Sequence, residues 1–132
     1  MQFKDLSITF HVHNIKECTE FYCKYMNGIM TFDCGWYATV KLESLAAPIF
    51  ISFMIPQSDG YLQYKGGATL NLMVEDVDAV YQEVIKKGVK IDQEIADHDW
   101  GDRSFDIKDP IGNTLLIYSL REIKGEFKEA LL

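Results

Sequence analysis

His11 and His13 stand two apart in an alternating segment, so a strand would turn both imidazoles to one side, a spacing that suits a pair of metal ligands. No third ligand is evident beside them, and a histidine more often serves as a hydrogen-bonding surface or rim residue. Asp97, His98, Asp99 and Asp102 make a second cluster. It reads as an acidic loop between strands, where a solvated turn is the default and cation binding a distant second. Ser7, Ser52 and Ser104 have no His and Asp nearby in a nucleophile arrangement, and no GxSxG occurs. Cys18, Cys23 and Cys34 form no CxxC pair and have no obvious activating neighbour. Gly66-Gly67 is not followed by the Lys-Ser/Thr of a phosphate loop. Acid–base work by His11 is conceivable, but the sequence places no partner near it. No catalytic residue is assigned. What is left is recognition: Trp36, Tyr37 and Trp100 could stack on a ligand, and Arg103 could meet a ligand carboxylate. For each aromatic, core or dimer-interface packing is the commoner role. For Arg103, in a chain with 20 acidic residues, a structural ion pair is the commoner role.

Two copies of one strand-to-helix unit must position these groups. The first reads Ser7-Ile8-Thr9-Phe10-His11-Val12-His13-Asn14-Ile15 and the second Thr69-Leu70-Asn71-Leu72-Met73-Val74-Glu75-Asp76-Val77. Their offset is constant, since 69 minus 7, 74 minus 12 and 76 minus 14 all give 62. One strand face is apolar (Ile8, Phe10, Val12; Leu70, Leu72, Val74), and the other is small or polar (Ser7, Thr9, His11; Thr69, Asn71, Met73). Asn14 and Asp76 are good N-caps, and Glu17 could complete a capping box with Asn14. The first helix should stop at Asn27-Gly28 and the second at Gly88. Strands are expected over Leu6–Val12, Ile29–Phe32, Trp36–Leu42 and Ile49–Ile55, then Ala68–Val74, Lys90–Ile95, Asp102–Lys108 and Thr114–Ser119. Asp109-Pro110-Ile111-Gly112 has the residues of a type I turn. Arg121–Leu132 reads as a C-terminal helix weakened by Gly125. The organisation is therefore one domain of 1–132: module one 1–56, linker 57–67, module two 68–120 and a C-terminal helix 121–132. Each module is β-α-β-β-β.

Composition narrows the class. A chain of 132 residues with 48% hydrophobic and 25% charged residues is an ordinary soluble globular protein. A formal charge of −7, with no basic stripe, argues against nucleic-acid binding. The most apolar stretch, Ala46 to Ile55, is too short to span a membrane, and Met1–Asp5 lacks the apolar run of a signal peptide. An odd count of three cysteines reads as free thiols in a reducing cytoplasm.

The chain resembles the vicinal oxygen chelate superfamily, which includes glyoxalase I, bleomycin-resistance proteins and extradiol dioxygenases. The most specific carrier is Trp100-Gly101-Asp102-Arg103-Ser104-Phe105 continuing to Asp109-Pro110-Ile111-Gly112-Asn113, similar to the family's WGxRxFxxxDPxGN ending. Val12-His13-Asn14-Ile15 leading to Phe21-Tyr22, and Val74-Glu75-Asp76-Val77, look like its approach to each helix. The resemblance implies an α+β fold in which two tandem βαβββ modules form a cup-shaped curved sheet with helices outside. It also implies a homodimer, as in many members.

Metal-using members carry a His or Gln five residues before the first-strand valine and a Glu in the fourth strand, repeated in the second module. By the resemblance those positions fall on Ser7, Thr69 and Leu116, and Ile49–Ile55 holds no carboxylate, His or Cys. Hydroxyls and a leucine cannot supply the three or four strong donors a divalent ion needs. The expected cofactor set is therefore empty. Ser7, Thr9, His11, Thr69, Asn71, Met73, Thr114, Leu116 and Tyr118 would line a mixed cleft, with Trp36, Trp100 and Arg103 as further ligand contacts. The expectation is a metal-independent binder of a small organic molecule, sequestering a xenobiotic or antibiotic. One rival is a metal-dependent lyase, isomerase or dioxygenase with non-standard ligands such as His11 and His13. Another is an interaction module whose cleft is filled by its own side chains.

Overall fold

Alternation of apolar and polar residues gives way to helical spacing twice, and the computed structural model, which describes residues 1–132, follows both changes of period. The chain forms two compact units, Met1–Gly66 and Gly67–Leu132. The first contains β1 (Ile8–His11), α1 (Ile15–Tyr25), β2 (Ile29–Asp33), β3 (Tyr37–Leu42) and β4 (Ile49–Met54). The second contains β5 (Thr69–Met73), α2 (Val77–Lys86), β6 (Gln93–His98), β7 (Asp102–Lys108), β8 (Thr114–Leu120) and the single-turn α3 (Glu126–Glu129). Strand order is β1-β4-β3-β2 in one sheet and β5-β8-β7-β6 in the other. The outer strands β1 and β5 pair parallel to β4 and β8, and all other pairs are antiparallel. This is an α+β fold of two βαβββ modules.

In the first module Phe10, Val40, Ile51 and Phe53 are buried on one sheet face, beneath Ile15, Cys18 and Tyr22 of α1. Tyr22 and Phe53 meet at 5.7 Å between ring centroids. In the second, Phe105, Ile107, Leu115 and Ile117 play the same part beneath α2, where Tyr81 lies 5.0 Å from Phe105. Burying such side chains stabilises each by about 1.5–3 kcal/mol relative to exposure. The helix starts keep the repeat, since α1 begins at residue 15 and α2 at residue 77, again 62 apart. At the end of α1, Gly28 passes so close to Val40 that an added Cβ would lie 2.5 Å from its Cγ1 and 2.9 Å from the Tyr22 carbonyl oxygen. Only glycine fits there.

Four expectations need correction. The C-terminal helix is only Glu126–Glu129 rather than Arg121–Leu132. It buries no residue, and Gly125 at φ 58° breaks the chain direction before it, so nothing supports a longer helix. The strand expected at Lys90–Ile95 runs instead over Gln93–His98, because β7 pairs with it through Ala96↔Ser104, Asp97↔Arg103 and His98↔Asp102. Asp97 and His98 therefore lie on a strand and not in a loop. Asn14 gives no cap bond to the backbone, and its amide donates to Glu17 Oε2 at 2.8 Å, so the capping box does not close. Strand β1 ends at His11, which places His13 outside it and removes the shared face expected for the two histidines. Asp76 does cap α2, accepting from the Ala79 N–H at 3.0 Å.

Candidate ligand-binding faces

Each helix covers one face of its own sheet, and side-chain alternation leaves the other face to the polar positions. On the first-module sheet the register aligns Thr9↔Ser52↔Thr39 and His11↔Met54↔Tyr37. Thr9 Oγ1 and Tyr37 OH share a hydrogen bond at 3.0 Å, and Thr39 Oγ1 and Ser52 Oγ share one at 2.8 Å. Four hydroxyl groups thus satisfy one another in pairs. Tyr37 was expected only as a stacking aromatic, and Thr39 and Ser52 were not singled out as ligand contacts. The alternation of Tyr37, Thr39 and Lys41 against Ala38, Val40 and Leu42 carried the signal. Phe32, 52% exposed, lies beside Thr39 across the next pairing.

The expected contacts of this module do not all gather there. Ser7 precedes the strand and is exposed. His11 is held at the strand end, with Nδ1 3.2 Å from the Leu62 carbonyl oxygen and its ring edge-on to Tyr61 at 5.0 Å. His13 instead borders a depression of about 480 Å³ shared with Gln57, Ser58, Tyr61 and Leu62. Trp36 stands before β3, 45% exposed, at 6.1 Å from the Tyr37 ring.

On the second-module sheet, Thr69, Asn71 and Met73 are exposed along β5 and stand in register with Thr114, Leu116 and Tyr118. Across β7 the same rows continue to Lys108, Asp106 and Ser104. The six expected positions and their three β7 neighbours share one face. Arg103 does not. It lies on the helix side, donating to both carboxylate oxygens of Asp78, at 2.9 to 3.3 Å, and to Asp97 at 3.3 Å. The Arg103 hydrogen bonds hold the Asp78 carboxyl below its ordinary pKa.

The turn between β6 and β7 builds a polar knot around a buried carboxylate. Asp102 is 5% exposed. Its Oδ1 lies 2.8 Å from His98 Nδ1 and accepts from Ser104 Oγ at 3.0 Å, while Oδ2 accepts from Trp100 Nε1 at 2.8 Å. The Trp100 ring stacks on His98 at 4.1 Å and 6°. A Cβ on Gly101, at φ 110°, would meet Ile123 at 2.5 Å, so this tight turn admits only glycine. Ser, His and Asp are therefore close, but they do not form a nucleophile triad. A single imidazole nitrogen faces both partners, the serine proton goes to the carboxylate, and Ser104 is 1% exposed. The knot fixes Trp100 and His98 beside a hollow of about 300 Å³ bordered by Asp97, Asp99, Arg121 and Lys124.

A sequence model of the Glyoxalase/Bleomycin resistance protein/Dioxygenase superfamily matches residues 6–117. The chain belongs to this superfamily. No curated protein sequence matches it. Among solved structures it is similar to a glyoxalase/bleomycin resistance protein/dioxygenase from Nocardioides, with 12% identity, coverage of 96% of this chain and 89% of that one, and a TM-score of 0.76. It is similar to lactoylglutathione lyase from Agrobacterium tumefaciens, at 14% identity over 88% and 92% of the chains, TM-score 0.70. It is also similar to TnmS3, an antibiotic binding protein from Streptomyces sp. CB03234, at 18% identity over 91% and 98%, TM-score 0.69. At these identities the likeness is one of fold.

The superfamily's metal positions can be tested on each module. In the second they are Thr69, five residues before Val74, and Leu116, three residues after Asn113. In the first, Ser7 matches Thr69, and the pairing Thr9↔Ser52 against Asn71↔Leu116 makes Ser52 the counterpart of Leu116. Two serines, a threonine and a leucine do not make a donor set for a divalent cation. Ser52 is moreover committed to Thr39. No group of three or more His, Cys, Asp or Glu side chains is arranged to hold a metal ion elsewhere.

Proposed function

We propose that this member of the superfamily binds a small, partly aromatic organic molecule without a metal ion, on the open face of its second-module sheet. The observation that carries this reading is the set of side chains at the superfamily's metal positions, which are hydroxyls and leucine on an otherwise complete scaffold. Asn71 and Tyr118 offer directional hydrogen bonds, and Met73 and Leu116 offer apolar wall, the mixture a small-molecule site needs. That TnmS3 is an antibiotic binding protein supports sequestration of a xenobiotic or antibiotic as the role. Exposed Ile29, Phe32 and Trp36 support a homodimer, and three cysteines outside any disulfide support a cytoplasmic setting.

Isothermal titration against a panel of aromatic and glycopeptide compounds, with and without EDTA, tests the reading. It predicts at least one binder whose affinity EDTA leaves unchanged. A panel without any binder, or binding abolished by the chelator, would overturn it.

A further inference from the structure

Asp106 lies in the middle of the second-module face, between Leu116 on β8 and Gln93 on β6. Unlike Asp102, Asp109 and Asp78, whose carboxylates accept several hydrogen bonds, its half-buried carboxylate accepts none and joins no ion pair. The nearest cation along its strand, Lys108, is drawn elsewhere, donating to Thr114 Oγ1 and standing 3.8 Å from Asp92. The corresponding residue of the first module, Thr39, has its hydroxyl satisfied by Ser52. The same position is therefore closed in one sheet and open in the other.

We propose that Asp106 is the anchor for a protonated amine on the ligand. Resting on the reading of this face given above, the proposal narrows the ligand class to an organic cation with a flat apolar body. Asn71, Leu116 and Asp106 sit side by side on three adjacent strands. Strand spacing of about 4.8 Å makes that row about 10 Å long, the length of a bicyclic aromatic. Leu116 and Tyr118 give such a ring an apolar bed, and Asn71 gives its far edge a hydrogen bond. An ammonium at the near edge supplies the donors Asp106 lacks, in a charge-assisted bond. Partial burial, and then the neighbouring Asp92 carboxylate, raise the Asp106 pKa, and Lys108 and His98 offset this only in part. The chain's formal charge of −7 favours approach of a cation.

Matched indoles test this. Tryptamine carries an ammonium, tryptophol a neutral hydroxyl and indole-3-acetate a carboxylate on the same ring. NMR titration at pH 7, following the backbone amides of residues 102–118, should show tryptamine binding about tenfold more tightly than tryptophol, and indole-3-acetate weakest, as a charge-assisted hydrogen bond would give. Asp106→Asn should reduce the tryptamine advantage to within about twofold. Glu20→Gln, which removes one charge at an exposed position of α1, should leave it intact. Equal binding of tryptamine and tryptophol by the natural chain would overturn the Asp106 assignment and leave the binding face standing. An advantage that survives Asp106→Asn would overturn it as well. If none of the three indoles moves these amides, the assignment and the reading of the face both fall.

Discussion

Across the middle of the first-module sheet run Thr9, Ser52, Thr39 and Phe32, and across the second run Asn71, Leu116, Asp106 and Gln93. The scaffolds beneath are alike, with the same strand order and helix starts 62 residues apart. The polar faces differ. In the first, hydroxyls pair with one another. In the second, hydrogen bonding concentrates at the Asp102 knot and the Asp109 turn, and the centre of the face is left with an unpaired carboxylate. The two modules share a backbone plan and differ on the face, which is how one fold can carry unrelated chemistries.

The likeness of the cores gives the largest expected effect. Phe53→Ala and Phe105→Ala each remove a ring that is almost wholly buried and should each cost about 3–5 kcal/mol in urea denaturation. A cost below about 1 kcal/mol in either would break the equivalence of the two cores.

Next in size is the knot that only the second module has. Asp102→Ala leaves Trp100 Nε1 and His98 without their acceptor and should cost about 1–3 kcal/mol. Trp100 fluorescence should shift as its indole loses that bond. An unchanged stability and spectrum would show that the knot holds nothing in place.

The helix starts differ by a smaller amount. Asp76→Ala removes a side-chain cap and should cost about 1 kcal/mol, whereas Asn14→Ala should cost less than half of that, because Asn14 bonds only to Glu17. Equal losses in thermal or urea unfolding would remove the distinction.

The smallest effect has the opposite sign. Folding raises the Asp106 pKa, chiefly through burial and then through Asp92, so its ionised form opposes folding at neutral pH. That cost disappears once pH falls below the ordinary carboxylate range and the group is protonated in both states. Asp106→Asn should therefore stabilise the protein slightly at pH 7 and not at all near pH 3. Urea midpoints at the two pH values check the sign, and a loss of stability at pH 7 would show that the carboxylate has a partner.

Most of the architecture was legible because period carries it. Ile8–Phe10–Val12 and Leu70–Leu72–Val74 alternate, and the switch to helical spacing at Asn14 and Asp76 falls where each helix begins. Edges were less legible. Strand β6 was displaced because a bulge between Gln93 and Ala96 breaks its alternation, and the pairing partner that settles its position lies on β7. The C-terminal segment has helical spacing at Ile123, Phe127 and Leu131, yet these do not pack as one stripe: Ile123 lies against Gly101, Phe127 meets Trp100 at 6.0 Å, and Leu131 is exposed. At the candidate faces, sequence gave Thr9, Asn71, Leu116 and Tyr118 through alternation. It missed Asp106, whose meaning lies in what its neighbours fail to offer, and it missed the contact of Ser104 with His98, a cross-strand relation set by register. Arg103 shows the reverse case, since one step along β7 turns it to the helix side.

The claim on which the functional reading depends concerns donors. Elemental analysis of the protein purified without chelator measures it most directly. Well below one Zn, Fe, Ni, Mn or Cu per chain is the expected result. About one equivalent of any of these, retained through gel filtration, would contradict it and move the chain to the metal-using side of its superfamily.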